Sequence, residues 1–289
     1  MSVTYSQLGN RGRLGNQLFQ IASTIGIAIE NERSFAFPKW EYSKYFEGGC
    51  HLAVTDDLPE MVIVERFINH GSVIFENPEE DYDLNGYFQS EKYFKFCEQR
   101  IRKLFKPSEI IKERIEKNYE SIIKDIKEYT SMHVRRGDYL ALKGLYEPLK
   151  KNYYLKCLEE CEAKKVLVFS DDIEYCKKTF DSNMFYEFIY IEEREHNRYE
   201  ISTTAESEAN ARGFREEDAT ELILMSLCGN NIIANSSFSW WAAWLNENED
   251  KKVFAPQKWY TDSHLPRISL PEDGWNHLDD MYPESWKRI

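Results

Sequence analysis

Short apolar runs separated by amphipathic stretches dominate the second half of the chain. EYTSMHV (128–134), KVLVF (165–169), FIYI (188–191), NIIA (231–234) and KVFA (252–255) are short, apolar and β-prone, and they predict strands. Between most of them, residues 151–163, 172–180, 216–228 and 239–247 carry helical patterns. Strands alternating with helices predict right-handed βαβ units on a parallel sheet. The first half reads differently. Residues 3–8 (VTYSQL) are β-prone and run into LGNRGRLGNQ, where Gly9, Gly12 and Gly15 recur at even spacing. From Asn16 to Glu30, Leu18, Ile21, Ile25 and Ile29 form one apolar stripe, so the chain opens as strand, glycine loop, helix. Residues 34–89 are irregular, with several short strands and turns. Two charged amphipathic helices follow at about 90–106 and 108–127, separated by Pro107. In the second, Ile111, Ile115, Tyr119, Ile122 and Ile126 line one face. The change of pattern places a domain boundary near residue 128, giving domains 1–127 and 128–289. The polar stretch 192–217 reads as an exposed loop.

Composition narrows what such a fold can do. A chain of 289 residues with 42% hydrophobic and 30% charged positions buries a sizeable core. Its 37 basic and 50 acidic side chains leave a net charge of -13, which argues against a nucleic-acid partner. A small anion such as a nucleotide-sugar can still bind where a few Arg side chains are focused in one place. Aromatics make up 15%, including seven Trp, and core packing accounts for most of them. The six Cys (50, 97, 157, 161, 176, 228) form no CxxC pair and read as reduced, mostly buried thiols. Met1 to Leu8 shows no signal-peptide pattern, and no apolar run approaches the ~18 residues of a membrane span. The expectation is a cytoplasmic protein without an integral membrane segment. The sequon Asn235-Ser236-Ser237 and the tripeptide Arg136-Gly137-Asp138 are then coincidences.

Four segments could carry chemistry. The glycine loop, with Arg13, Gly15 and Asn16, precedes a helix whose N-terminal amides can face an anion, although glycines also serve plain tight turns. His133-Val134-Arg135-Arg136-Gly137-Asp138-Tyr139 falls at a strand end, where open α/β sheets bind ligands. His133 and Arg135 share a face there. Two adjacent guanidinium groups match phosphate oxygens, or else form an ion-pair cluster with Asp138. Phe169-Ser170-Asp171-Asp172 ends another strand. Asp171 is placed to accept from a guanine or ribose, and Asp172 to cap the next helix. Asn235-Ser236-Ser237-Phe238-Ser239-Trp240-Trp241 follows a third strand and offers either a helix cap or a second phosphate site. Asp81-Tyr82-Asp83 matches a DxD pattern that could hold a divalent cation, but the match is short and Asn85-Gly86 beside it signals a turn. The six His show no close metal-ligand spacing.

Taken together, GRLGNQLFQIA (12–22), HVRRGDY (133–139), FSDD (169–172), NIIANSSFSWWAAWLN (231–246) and PQKW (256–259) resemble the α-1,2-fucosyltransferase family, glycosyltransferase family 11. GRLGN and SSF are also similar to segments of protein O-fucosyltransferases. The resemblance implies a GT-B architecture of the α/β class, with two Rossmann-like domains facing across a cleft. It implies GDP-fucose as co-substrate, bound mainly by the second domain, and no divalent metal. The expected acceptor is the 2-hydroxyl of a terminal β-galactose on a glycan, with inversion at the sugar. A lipid-linked acceptor would bring peripheral membrane contact. Carried onto this chain, Arg135 is the main stabiliser of the leaving diphosphate, supported by Arg136 and His133. Ser236, Ser237 and the Phe238 amide add hydrogen bonds to it, Ser170 and Asp171 lie on the donor side, and the Arg13, Gly15 and Asn16 loop closes that side from the first domain. Asp138 is the nearest carboxylate to act as base, or it orients one of the arginines. Two departures, Gly12-Arg13 for a glycine pair and Asn230 for a common His, bear on acceptor and linkage rather than on the donor.

Overall fold

The computed structural model describes residues 1–57, 59–65, 70–142, 144–181, 185–192, 216–261 and 277–289. Among these, the chain forms two compact units. The first comprises Met1–Lys112, Asn197–Ala219 and Pro271–Pro283, and the second Glu113–His196, Thr220–Leu270 and Glu284–Ile289, each as far as it is described. The chain therefore returns to the first unit after its first exit, whereas the sequence pattern shows one break near residue 128. Long-range polar contacts account for the difference. Ser90 Oγ donates to the Asp280 carbonyl at 2.7 Å, and the Tyr42 hydroxyl donates to Asp218 at 2.6 Å.

In the first unit, strands β1 (Ser2–Thr4), β2 (Ser34–Ala36), β3 (Met61–Val64) and β4 (Tyr82–Asn85) form a parallel sheet in the order β2-β1-β4-β3. Helix α1 (Leu14–Glu30) follows the glycine loop and is buried along almost its whole length. Two of its polar residues tie down that loop. Gln17 donates to the Gly12 carbonyl at 3.1 Å and Gln20 to the Arg11 carbonyl at 2.9 Å. Gly12 has φ +78°, and a Cβ there would lie 2.6 Å from the Asn16 Cβ, so this position requires glycine. The helix expected at 90–106 is only α2 (Glu98–Leu104), preceded by two 3₁₀ turns. Phe94, buried, takes φ -136° and interrupts the helix. The next is split into α3 (Glu109–Asn118) and α4 (Glu120–Ile123) by Tyr119 at φ -127°. Its apolar stripe still points inward, with Ile111, Ile115, Ile122 and Ile126 buried.

In the second unit, β5 (Tyr129–Val134), α5 (Lys151–Glu160), β6 (Lys165–Ser170), α6 (Ile173–Phe180), β7 (Glu187–Tyr190), α7 (Glu216–Leu227), β8 (Asn230–Ile232), α8 (Ser237–Leu245) and β9 (Val253–Ala255) follow in chain order. The last turns are α9 (His277–Met281), in the first unit, and β10 (Lys287–Arg288). The sheet order β10-β9-β8-β5-β6-β7 is all parallel and is the doubly wound arrangement of a Rossmann half. Every residue of β5 is buried, as expected of a central strand covered on both faces. The expected helix at 239–247 starts earlier, at Ser237, because Ser236 is extended (φ -142°) and the chain turns helical directly after it. Residues 193–215 of the polar stretch lie outside the described residues. No helix among those described is long and apolar enough to cross a membrane. All six cysteines are free thiols, four of them buried.

Candidate functional site

The topology selects the site. From β5 the chain runs out through β6 to β7, then returns to place β8 on the other side of β5. The crevice at the carboxyl ends of β5 and β8 is the switch point, where ligands of such sheets bind. Three of the four segments singled out in the sequence lie there on adjacent strands: 133–139 at the end of β5, 169–172 at the end of β6 and 235–241 after β8.

Arg135 lies at the centre. Its Nη1 is 2.9 Å from Asp171 Oδ2 and its Nη2 2.8 Å from Asp138 Oδ1. Burial opposes its charge, but the two carboxylates outweigh that and hold its pKa above the ordinary arginine value. Asp171 shows the converse. Burial would raise its carboxyl, but Arg135 and the amides of Arg136 and Gly137 hold it below the usual carboxylate range. The Arg136 amide donates to Asp171 Oδ1 at 2.9 Å, so the same carboxylate fixes both the guanidinium and the backbone beyond it. A Cβ at Gly137 would stand 2.7 Å from Asp171 Oδ2, which explains the glycine of HVRRGDY. Arg136 turns the other way. Its Nε meets Asp172 at 3.1 Å, and its guanidinium lies 3.5 Å from the Tyr175 ring centroid.

His133 stands behind Arg135, 4% exposed, with Nδ1 at 2.9 Å from Ser239 Oγ. Burial, reinforced by the charge on Arg135, pushes its pKa down to about 3, so the ring is neutral at physiological pH. Ser239 also accepts from the Ala234 amide at 3.2 Å, which ties the start of α8 to the ends of β5 and β8. The Ser237, Phe238 and Ser239 amides open the first turn of α8, where a helix has no internal acceptor for its N–H groups. Ser170 is a local tie: its hydroxyl donates to the Val134 carbonyl at 2.7 Å and accepts from the Asp172 amide at 3.0 Å. Asp172 caps α6 through the Tyr175 amide at 3.1 Å.

Arg13, Gly15 and Asn16 belong to the first unit, at the start of α1, where Asn16 accepts from Gln89 at 2.7 Å. The DxD carboxylates have partners of their own. Asp81 accepts from the Ser2 amide at 2.5 Å, and Asp83, buried, accepts from Thr4 Oγ1 at 2.8 Å and from the Ser6 amide at 2.7 Å. Among the described residues, no group of three His, Cys, Asp or Glu is placed to hold a metal ion. Asn235 is 2% exposed and donates to the Trp259 carbonyl at 3.1 Å, a setting that suits a packing role and not a glycan.

The family model for glycosyl transferase family 11 matches residues 64–279, about three quarters of the chain. This chain belongs to glycosyl transferase family 11. A relative within reach is the O-antigen biosynthesis glycosyltransferase WbnK of Escherichia coli, 31% identical over 76% of this chain and 67% of its own length. The alpha-1,2-colitosyltransferase of Escherichia coli is 28% identical over 100% of this chain and 99% of its own. A galactoside 2-alpha-L-fucosyltransferase of Caenorhabditis elegans is 23% identical over 96% and 74%. Among solved structures, NodZ alpha-1,6-fucosyltransferase soaked with GDP-fucose matches with a TM-score of 0.51 at 14% identity, covering 84% of this chain and 92% of that one. A point mutant of Arabidopsis thaliana FUT1 in complex with GDP matches with a TM-score of 0.53 at 13% identity, covering 88% and 70%. At such identities they show the fold, which is α/β of the GT-B type.

In this family 11 chain, three further side chains join the site, two of them from the motif segments. Tyr175 stacks on Arg136, Ser239 pins His133, and the Tyr139 hydroxyl donates to the Asn235 carbonyl at 2.7 Å. Tyr139 stands in the HVRRGDY motif and Ser239 in SSFSWW, so both were within reach of motif reading. Tyr175 carried no signal, because only the fold of α6 brings it to Arg136.

Proposed function

We propose that this glycosyltransferase moves L-fucose from GDP-fucose to a hydroxyl of a glycan, foremost the 2-hydroxyl of a terminal β-galactose, with inversion and without a divalent metal. One observation carries this: the Arg135 guanidinium, only 15% exposed, is held between Asp171 and Asp138 at the switch point of the second unit. As the sugar C1–O bond breaks, negative charge develops on the diphosphate. Fixed donors aimed at that charge stabilise the transition state without reorganising. Arg135 supplies the charge, Arg136 a second cation, and Ser236, Ser237 and the Phe238 amide supply neutral donors. Neutral His133, fixed by Ser239, supports the site without adding charge. Asp138 is the carboxylate within the motif that could take the acceptor proton.

A second donor is favoured by the full-length likeness to an alpha-1,2-colitosyltransferase: GDP-colitose. The deciding experiment offers GDP-fucose and GDP-colitose to the purified protein with a panel of β-galactosides, with and without EDTA. Product mass and NMR linkage are read. Transfer of fucose in EDTA supports the first reading, and transfer of colitose alone supports the second. GDP binding without transfer or hydrolysis of either favours an inactive relative over both. In the same assay Asp81→Ala keeps at least about half of wild-type activity, since its carboxylate serves a backbone amide. Inactivation of a folded Asp81→Ala, or loss of transfer in EDTA, would restore a metal. Ser237→Ala weakens GDP binding about three- to tenfold by calorimetry, the scale of one hydrogen bond to a charged group. Unchanged affinity removes Ser237 from the diphosphate site.

A further inference from the structure

We propose that Asp138 occupies the donor's place on Arg135 until the diphosphate displaces it, and that the carboxylate so released takes the proton of the acceptor hydroxyl. This rests on the GDP-sugar reading above and assigns Asp138 two successive positions within it. Both ends of the Arg135 fork are engaged, Nη1 by Asp171 at 2.9 Å and Nη2 by Asp138 at 2.8 Å. An incoming phosphate that grips both ends of the fork competes with these two carboxylates and replaces the one less firmly held.

The two carboxylates are not equally held. The Asp171 side chain is 17% exposed, receives the Arg136 amide at 2.9 Å, and is wedged against Gly137. The Asp138 side chain is 39% exposed, and the described residues offer its Oδ1 no hydrogen bond beyond the ionic contact. Asp138 also stands on a short turn, Asp138–Leu140, rather than on the sheet. It is therefore the partner that leaves. Charge points the same way. Arg135 and Arg136 face three carboxylates, those of Asp138, Asp171 and Asp172. That surplus of negative charge favours moving the more exposed carboxylate away from Arg135 as a diphosphate arrives.

The exchange orders the reaction. While Asp138 is paired with Arg135 its Oδ1 is occupied by the guanidinium. Once the donor is seated it is a released carboxylate three residues from Arg135 in the chain. The acceptor O–H bond then breaks and its proton passes to Asp138. The acceptor oxygen bonds to C1 of the sugar, the C1–O bond to the diphosphate breaks, and that electron pair remains on the β-phosphate against Arg135.

The test turns on a sign. GDP affinity is measured by calorimetry for the wild type, Asp138→Asn and Asp138→Ala, with circular dichroism confirming the fold. With no carboxylate to displace, both variants bind GDP about fivefold more tightly, the scale of one partly exposed ion pair. Single-turnover transfer meanwhile falls about 100-fold or more, the usual contribution of a general base. Affinity that weakens or stays level in both variants shows that Asp138 merely orients Arg135, and it overturns the exchange while leaving the donor reading intact. Tighter binding with transfer undiminished overturns the proton-accepting half. A wild-type protein that binds no GDP overturns the donor reading and the exchange with it.

Discussion

Arg135→Ala is expected to lower single-turnover transfer by on the order of 10³–10⁵-fold, the range seen when a transition-state guanidinium is removed from a phosphate leaving group. The magnitude follows from placement. Arg135 is held between Asp171 and Asp138 at the end of the central strand, and burial has not cost it its charge. A cation fixed in a low-dielectric site acts on developing charge far more strongly than one in water. The alanine variant also strands two carboxylates, so a loss of stability accompanies it. Arg135→Lys separates the effects. It keeps a positive charge near the carboxylates but loses the planar fork, and it is expected to fold normally and still lose roughly 100-fold in rate. Near-normal transfer by either variant would remove Arg135 from the leaving-group role.

The second large effect belongs to Asp171→Ala, with an expected fall in kcat of roughly 10²–10³-fold. Asp171 holds the Arg135 guanidinium and the Arg136 amide together, and displacing a catalytic group by ~1 Å costs about 100-fold. The KM for the donor changes much less, because the residue acts through Arg135. Asp171→Asn, which can still accept from the Arg136 amide, recovers part of the rate. The sequence alone also allowed Asp171 to contact guanine or ribose. That role predicts the opposite split, a raised donor KM with kcat preserved and weaker discrimination between nucleotides. Steady-state kinetics with GDP- and UDP-sugars therefore decides which partner Asp171 serves.

Much of the second unit was legible before any coordinates. Apolar runs bounded by polar turns set β5, β6, β7 and β9 to within about a residue, since buried parallel strands leave an unmistakable pattern. The first unit was harder. β1 ends at Thr4, not Leu8, because the chain turns at Tyr5, where the Leu8 amide meets its carbonyl at 3.2 Å. Tyr93 and Phe94 look helical by spacing, but both are drawn into the core and break the helix there. Asp83 illustrates the limit of motif reading. Its place in a DxD pattern says nothing of Thr4 and Ser6, which reach its carboxylate from the far end of the sequence.

What the sequence determined by itself was the class of fold and the chemical types at the site, because local periodicity and residue chemistry are written along the chain. HVRRGDY, FSDD and NSSFSWW were identifiable without knowing where they lie. The tertiary structure alone decided who partners whom. Sheet order brings the ends of β5, β6 and β8 side by side, and only then does Arg135 acquire Asp171, Arg136 acquire Tyr175, and His133 acquire Ser239. Strand order is set by packing between segments distant in sequence, and no local pattern encodes it. The charge state of His133 and the unequal hold on Asp138 and Asp171 are consequences of that packing, since burial and neighbouring charge, not residue type, set both.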